Sequence, residues 1–284
     1  MKKSVGLIIL FLIIGLIIGV VGGYFYHGMV VGVPKCEEST KSGTTKASVK
    51  IVDITDSVVS DTMAKINRLT CDILPYRYFL EKDKVTAKDI SNDVALNLVD
   101  INYYTGVRVD NKDKIKKDSN GNEYFEVDAA EVEKQVKSIL GDDYKFEHKT
   151  YKESTIAIFE YDQNNNKYKV IMQPFGCTVG PHAPSLNQVT KAEEKGNKLI
   201  ITYKVLFGED SIPENPGDNY FAKYYKDYKH TQQIKQDDLD YVVQDNIFVA
   251  DSASLKNLNL GSTYQFTFEK QNDNYVFVSS ELMK

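Results

Sequence analysis

The chain has 284 residues, 26% of them charged, and a formal net charge of -5. That length accommodates one large domain or two small ones with a proper core. The mild acidity leaves no basic footprint of the kind a phosphate backbone requires, which excludes nucleic-acid binding.

The chain opens on an uninterrupted apolar run, Val5 to Val21, preceded by Lys2 and Lys3. As a helix rising about 1.5 Å per residue it covers roughly 25 Å, and continuing through Phe25 it matches the ~30 Å core of a bilayer. The lysines on the short side keep the N-terminus cytoplasmic and send the remaining chain across the membrane. A cleavable leader has a shorter apolar core followed by a small-x-small site, for which only Gly22 and Gly23 offer candidates. Lipidation of Cys36 would need a small residue before it, where Lys35 stands. Residues 1–33 therefore read as a cytoplasmic tip and uncleaved anchor. Gly15, Gly19 and Gly23 have the small-xxx-small spacing that lets two anchors pair as a homodimer, although glycine is also common in membrane helices generally.

Residues 34–50 turn to Ser, Thr, Lys and Gly and predict a polar linker. Residues 51–105 predict a helical segment. Val59, Met63, Ile66 and Leu69 recur at three and four residues between Asp56 and Leu74, and Pro75 ends that helix. Thr86 and Asp89 have capping-box spacing ahead of a stripe of Ile90, Val94, Leu98 and Ile101.

Residues 106–284 predict a helix packed on a curved antiparallel sheet. Val107–Val109 and Tyr124–Val127 are short strand candidates flanking a lysine-rich loop, whose Asn120-Gly121 is the type I′ hairpin signal. The loop invites a calcium reading, but counting back from Gly121 puts Lys116 at the first ligand position of an EF-hand, and no metal site is assigned. Asp128 opens the clearest helix, with Val132, Val136, Ile139 and Leu140 on one side and Gly141 as the stop. Strands follow at Tyr144–Tyr151, Ser154–Tyr161, Lys167–Met172, Gln188–Glu194 and Leu199–Phe207, and the chain closes on Thr263–Glu269 and Tyr275–Ser280. Between them, Phe221, Tyr224, Tyr225 and Tyr228 fit either a helix or a twisted strand. Tyr241–Ala250 reads as one strand, and Ser252–Leu260 as a loop or short helix. A helix followed by an antiparallel meander is the α+β pattern.

Reactive side chains cluster outside regular structure once, in the loop Pro174 to Pro184, where Cys177 lies five residues before His182. A thiol nucleophile needs a base within reach and amide donors for an oxyanion. No nucleophile signature surrounds Cys177, and Cys-His enzymes usually bring the histidine from a distant segment. In an oxidising exterior Cys71 and Cys177 could close a loop of about 100 residues, worth ~4–5 kcal/mol in chain entropy. Free thiols are the competing reading, and Cys36 would be left over beside the membrane. His27, His148, His182 and His230 show no paired ligand spacing, and the acidic pairs Glu193-Glu194 and Asp237-Asp238 read as solvated faces. No cofactor is implied.

The stretch from FEVDAAEVEKQVKSILG through the tyrosine-rich hairpins to YQFTFEKQNDNYVFVSS resembles membrane-anchored proteins of low-GC Gram-positive bacteria whose outer domains are cystatin-like or NTF2-like. The resemblance covers the last half of the chain and brings no catalytic residues with it. It implies a curved sheet wrapped on a helix, with a concave face able to bind something. The expected function is that of a single-pass protein of the cell membrane presenting an extracytoplasmic binding or assembly domain to a peptide, envelope component or partner protein. Two alternatives stay open: an envelope hydrolase or transferase using Cys177 and His182, and a cleaved, secreted binding protein.

Overall fold

The computed structural model describes residues 49–66, 77–99, 114–151, 157–172, 185–209, 220–244 and 247–284. The apolar run with Gly15, Gly19 and Gly23 lies outside them, as do Cys36, Cys71, Cys177, His27 and His182. Ala47–Lys284 forms one compact unit. Among the described residues no helix is long and apolar enough to cross a membrane.

The fold is α+β, organised by an antiparallel main sheet. Its strands lie in the order β1 (Val49–Val52), β7 (Leu186–Lys195), β8 (Lys198–Glu209), β13 (Ser262–Gln271), β14 (Asn274–Met283) and β2 (Lys84–Thr86), while β10 (Lys223–Tyr225) pairs with the far end of β8. The central strands alternate over residues 199–205 of β8 and 264–269 of β13. Leu199, Ile201 and Tyr203 of β8 and Tyr264, Phe266 and Phe268 of β13 are buried, whereas Ile200, Thr202, Gln265 and Thr267 are half-exposed. One face is thus turned to a core and the other left partly wet. The register sets Phe266 opposite Ile201, and Phe266 meets Tyr203 edge-on at 5.7 Å. Register shifts at Val189/Lys191 and Thr267/Phe268 mark bulges, which bend the strands and give the sheet its curve.

Helices cover the buried face. Helix α1 (Ser57–Ala64) is capped by the Asp56 carboxylate, which accepts from the Val58 amide, and α2 (Arg77–Leu80) inserts Phe79 beside Phe277 at 4.7 Å. Helix α3 spans 92–99. Helix α4 (Ala129–Leu140) buries Ala129, Val132, Val136, Ile139 and Leu140, and burying each of its larger side chains contributes roughly 1.5–3 kcal/mol. Lys65 donates to the Tyr275 carbonyl at 3.0 Å, and Asn274 Nδ2 donates to the Ser138 carbonyl at 2.7 Å. Both α1 and α4 are thereby tied to the start of β14.

A small sheet has the order β3 (Lys116–Lys117), β4 (Glu123–Asp128), β6 (Lys167–Met172), β5 (Ala157–Asp162). A third sheet holds β11 (Tyr241–Gln244), β12 (Ile247–Ala250) and β9 (Tyr220–Phe221). A second core forms where Ile247, Val249 and Leu258 of α5 (Leu255–Leu260) meet Leu186, Leu206 and Tyr224.

Several expectations change. The Thr86/Asp89 capping box forms, but it closes only a single 3-10 turn, Ala87–Asp89, and α3 starts separately after Ser91, whose hydroxyl accepts from the Val94 amide at 3.3 Å. Thr86 itself ends β2, so residues 51–105 are not purely helical and contribute to the main sheet. Tyr144–Tyr151 is not a strand. Its alternation is real, with Tyr144, Phe146 and His148 half-buried between exposed neighbours, but the segment packs through side chains and joins a ladder, among the described residues, only where Tyr151 bridges Phe159. The Asn120-Gly121 turn is not type I′, which needs a positive φ at both residues, because only Gly121 has one, at 82°. Asp118 dictates the alternative by accepting the amides of Asn120 and Asn122, each at 2.9 Å. Tyr241–Ala250 is a hairpin rather than one strand, and Phe221, Tyr224 and Tyr225 lie in strands rather than a helix.

Candidate functional site

The outer face of the small sheet gathers polar side chains around a hollow. Its strands derive from two similar segments, Phe125-Glu126-Val127-Asp128 and Phe159-Glu160-Tyr161-Asp162, flanking Lys167-Tyr168-Lys169-Val170. Period-2 alternation sends Phe125, Val170 and Phe159 into the core as one buried row. The opposite parity then builds two outward rows, Glu126–Lys169–Glu160 and Asp128–Lys167–Asp162. Acid, base and acid follow one another across the strands in both.

These charges share their partners loosely. Lys169 Nζ stands 3.7 Å from Glu160, 3.8 Å from Asp118 and 4.6 Å from the Tyr124 ring centre. Lys167 is 4.0 Å from Asp128, and only Lys116 sits at hydrogen-bond distance, 3.0 Å from Glu126. Exposed pairs of this kind contribute ~0–1 kcal/mol each and rearrange readily for a ligand. At the rim, Asp162 accepts from the side chain and amide of Asn165 and from the amide of Asn164, which together hold its carboxyl below the usual range. The hollow measures about 820 Å³ and is lined by Tyr124, Glu126, Glu160, Tyr161, Asp162, Gln163, Asn164, Asn165, Lys167 and Lys169. Its size suits a small ligand, but its polar lining is unlike a typical apolar pocket.

Behind this face lies a relay of three titratable groups. His148 Nδ1 is 3.2 Å from the Tyr168 hydroxyl, and its Nε2 is 3.5 Å from Glu133, which also pairs with Lys137 at 2.7 Å. Tyr168 is fully buried, and burial pushes its phenol up to about 12, so it keeps its proton at neutral pH. His148 stacks on Tyr161 at 5.3 Å, which joins the relay to the rim of the hollow. The arrangement orders side chains; its phenol is too buried to meet a substrate.

Of the residues singled out from sequence, Cys71, Cys177 and His182 lie outside the described residues. His230 stacks flat on Tyr225 at 4.5 Å, and no group of three or more metal-ligating side chains occurs among the described residues. Glu194 is not simply solvated: it accepts from Lys50 at 2.9 Å and from the Tyr275 hydroxyl at 3.1 Å. The hollow was missed because sequence reading weighed single reactive residues. The repeated Phe-Glu-x-Asp around Lys-x-Lys was its visible signal. Comparisons with protein-family profiles, with curated proteins and with solved structures returned no match.

Proposed function

We propose that the protein is a single-pass, membrane-anchored binding protein whose extracytoplasmic α+β domain holds a hydroxyl-rich ligand, an envelope saccharide, on the outer face of the small sheet. The apolar run Val5–Val21 behind Lys2 and Lys3 supports the anchoring. Helix α4 against a bulged antiparallel sheet supports the cystatin-like or NTF2-like reading of the architecture.

The observation that carries the ligand class is the pair of rows Glu126–Lys169–Glu160 and Asp128–Lys167–Asp162. Neighbours across a sheet stand roughly 5 Å apart, so each row sets donors beside acceptors within the width of one polyhydroxyl ring. The two rows set four carboxylates against two lysines, a net charge of -2, which disfavours an anion and leaves alternating donors and acceptors for a neutral ligand with many hydrogen bonds. Tyr124 adds an aromatic surface at one end.

Titration calorimetry of the full-length protein in nanodiscs, with soluble envelope-derived oligosaccharides as probes, tests this. Saturable binding lost in Lys169→Ala and weakened in Tyr124→Ala is the expected result. Binding unaffected by either substitution would reject the site. External protease on intact cells tests the topology, because a C-terminal tag that survives with the membrane closed would reverse the orientation.

A further inference from the structure

Among the described residues β11 is the outer strand of the third sheet, and its outer side differs from three other edges. β5 is closed by Tyr151, which exchanges main-chain bonds of 2.7 and 2.9 Å with Phe159. β10 is closed where the Ile234 amide donates to the Tyr224 carbonyl at 2.8 Å. β1 carries a charged residue, Lys50, bonded to Glu194 at 2.9 Å. β11, Tyr241-Val242-Val243-Gln244, has no charge or proline of the kind that normally blunts an edge.

The phase of the ladder decides which main-chain groups are open. The Asp251 amide donates to the Asp240 carbonyl at 2.8 Å, and alternation then makes Val242/Val249 and Gln244/Ile247 the bonded pairs of the hairpin. Tyr241 and Val243 turn their N–H and C=O groups away from β12, and no described residue bonds these groups. The side chains of Tyr241 and Val243 share a face with Phe248 and Phe221 through the register. Phe221 stacks on Phe248 at 4.3 Å, Tyr241 meets Phe221 edge-on at 5.1 Å, and Val243 is 63% exposed beside them. An open strand edge above an apolar floor is what strand addition uses, with main-chain bonds giving affinity and alternate side chains giving specificity. Asp237 and Asp238, exposed on the 3-10 turn before β11, form no ion pair with a described residue and lie where an added antiparallel strand would end.

We infer that the free edge of β11 receives an antiparallel, apolar strand of a partner polypeptide that carries lysine or arginine at its C-terminal end. A second copy fits less well, because the residue after Gln244 is Asp245 and self-pairing would bring acid against Asp238 and Asp240. This surface is separate from the hollow on the small sheet and stands or falls independently of it.

The test mixes full-length protein in nanodiscs with a labelled, capped peptide of alternating threonine and valine ending in two lysines. Expected are saturable binding and slowed hydrogen exchange at the Tyr241 and Val243 amides, with Val242 and Gln244 unchanged. Val243→Pro removes an outward N–H without touching a β12 bond and should weaken binding roughly tenfold or more. The double substitution Asp237→Lys, Asp238→Lys, at exposed positions that leave the fold intact, should weaken the lysine peptide and strengthen one ending in two glutamates. Absence of binding overturns the inference, as does equal binding of the lysine and glutamate peptides to the unsubstituted protein. Protection of Tyr241 and Val243 that rises with protein concentration alone also overturns it and makes a second copy the occupant.

Discussion

Single atoms carry measurable weight where the chain is tightly packed or a buried polar group has few partners. A Cβ built on Gly261 would lie 2.2 Å from the Val205 carbonyl oxygen, so Gly261→Ala must displace backbone of β8 rather than a flexible side chain. Overpacking of this kind costs about 1–3 kcal/mol, read as a lowered urea midpoint. Tyr168 offers a second case, because its hydroxyl shares a hydrogen bond with His148 Nδ1 at 3.2 Å and accepts from the Lys149 amide. Tyr168→Phe keeps the ring packing and strands both partners, with an expected loss of about 1–3 kcal/mol in the same measurement. An unchanged midpoint would show that the relay is not structural.

At the scale of elements, α5 and the β11–β12 hairpin are joined by one buried amide. Asn257 Nδ2 donates to the carbonyls of Asp240 and Asp251 at 2.7 and 3.1 Å, and its Oδ1 accepts the Asp240 amide at 2.9 Å. Asn257 is fully buried. Asn257→Ala leaves the Asp240 amide without its acceptor and takes one of two donors from each of the Asp240 and Asp251 carbonyls, and should cost about 1–3 kcal/mol, with hydrogen exchange accelerated first in the hairpin. Uniform acceleration across the main sheet would instead mean that the hairpin unfolds only with the whole domain. Helix α4 was the most legible element, since the apolar stripe and the Gly141 stop each have a local cause and the structure keeps both, while Asp128 holds the N-cap position without a capping bond from its side chain. The boundary of α3 was not legible: a capping box is only local geometry, and pairing of Lys84–Thr86 with β14 claimed the residues in front of it.

For the whole molecule, burial of tyrosines predicts how stability depends on alkaline pH. Tyr144, Tyr168, Tyr224 and Tyr264 are pushed up to about 12 from 10.0, in each case chiefly by burial. Above pH 10 the unfolded chain loses these protons before the folded one and so binds fewer of them. Stability from these groups is therefore complete below pH 10 and falls as pH rises toward about 12. Tyrosinate absorbance should increase for these four in one cooperative step together with loss of circular dichroism. Gradual ionisation near pH 10 with the fold intact would contradict their burial.

The sequence alone determined the α+β class, the strand pairs Gln188–Glu194 with Leu199–Phe207 and Thr263–Glu269 with Tyr275–Ser280, helix α4 and the apolar run at Val5–Val21, because each rests on periodicity or turn signals within a few residues. Tertiary structure alone decided that Tyr144–Tyr151 stays outside a ladder, that the chain before α4 supplies strands to the main sheet, and that Glu126, Lys169 and Glu160 form one row. Those outcomes depend on which distant strand lies alongside, and strand pairing is fixed by long-range register rather than by local pattern.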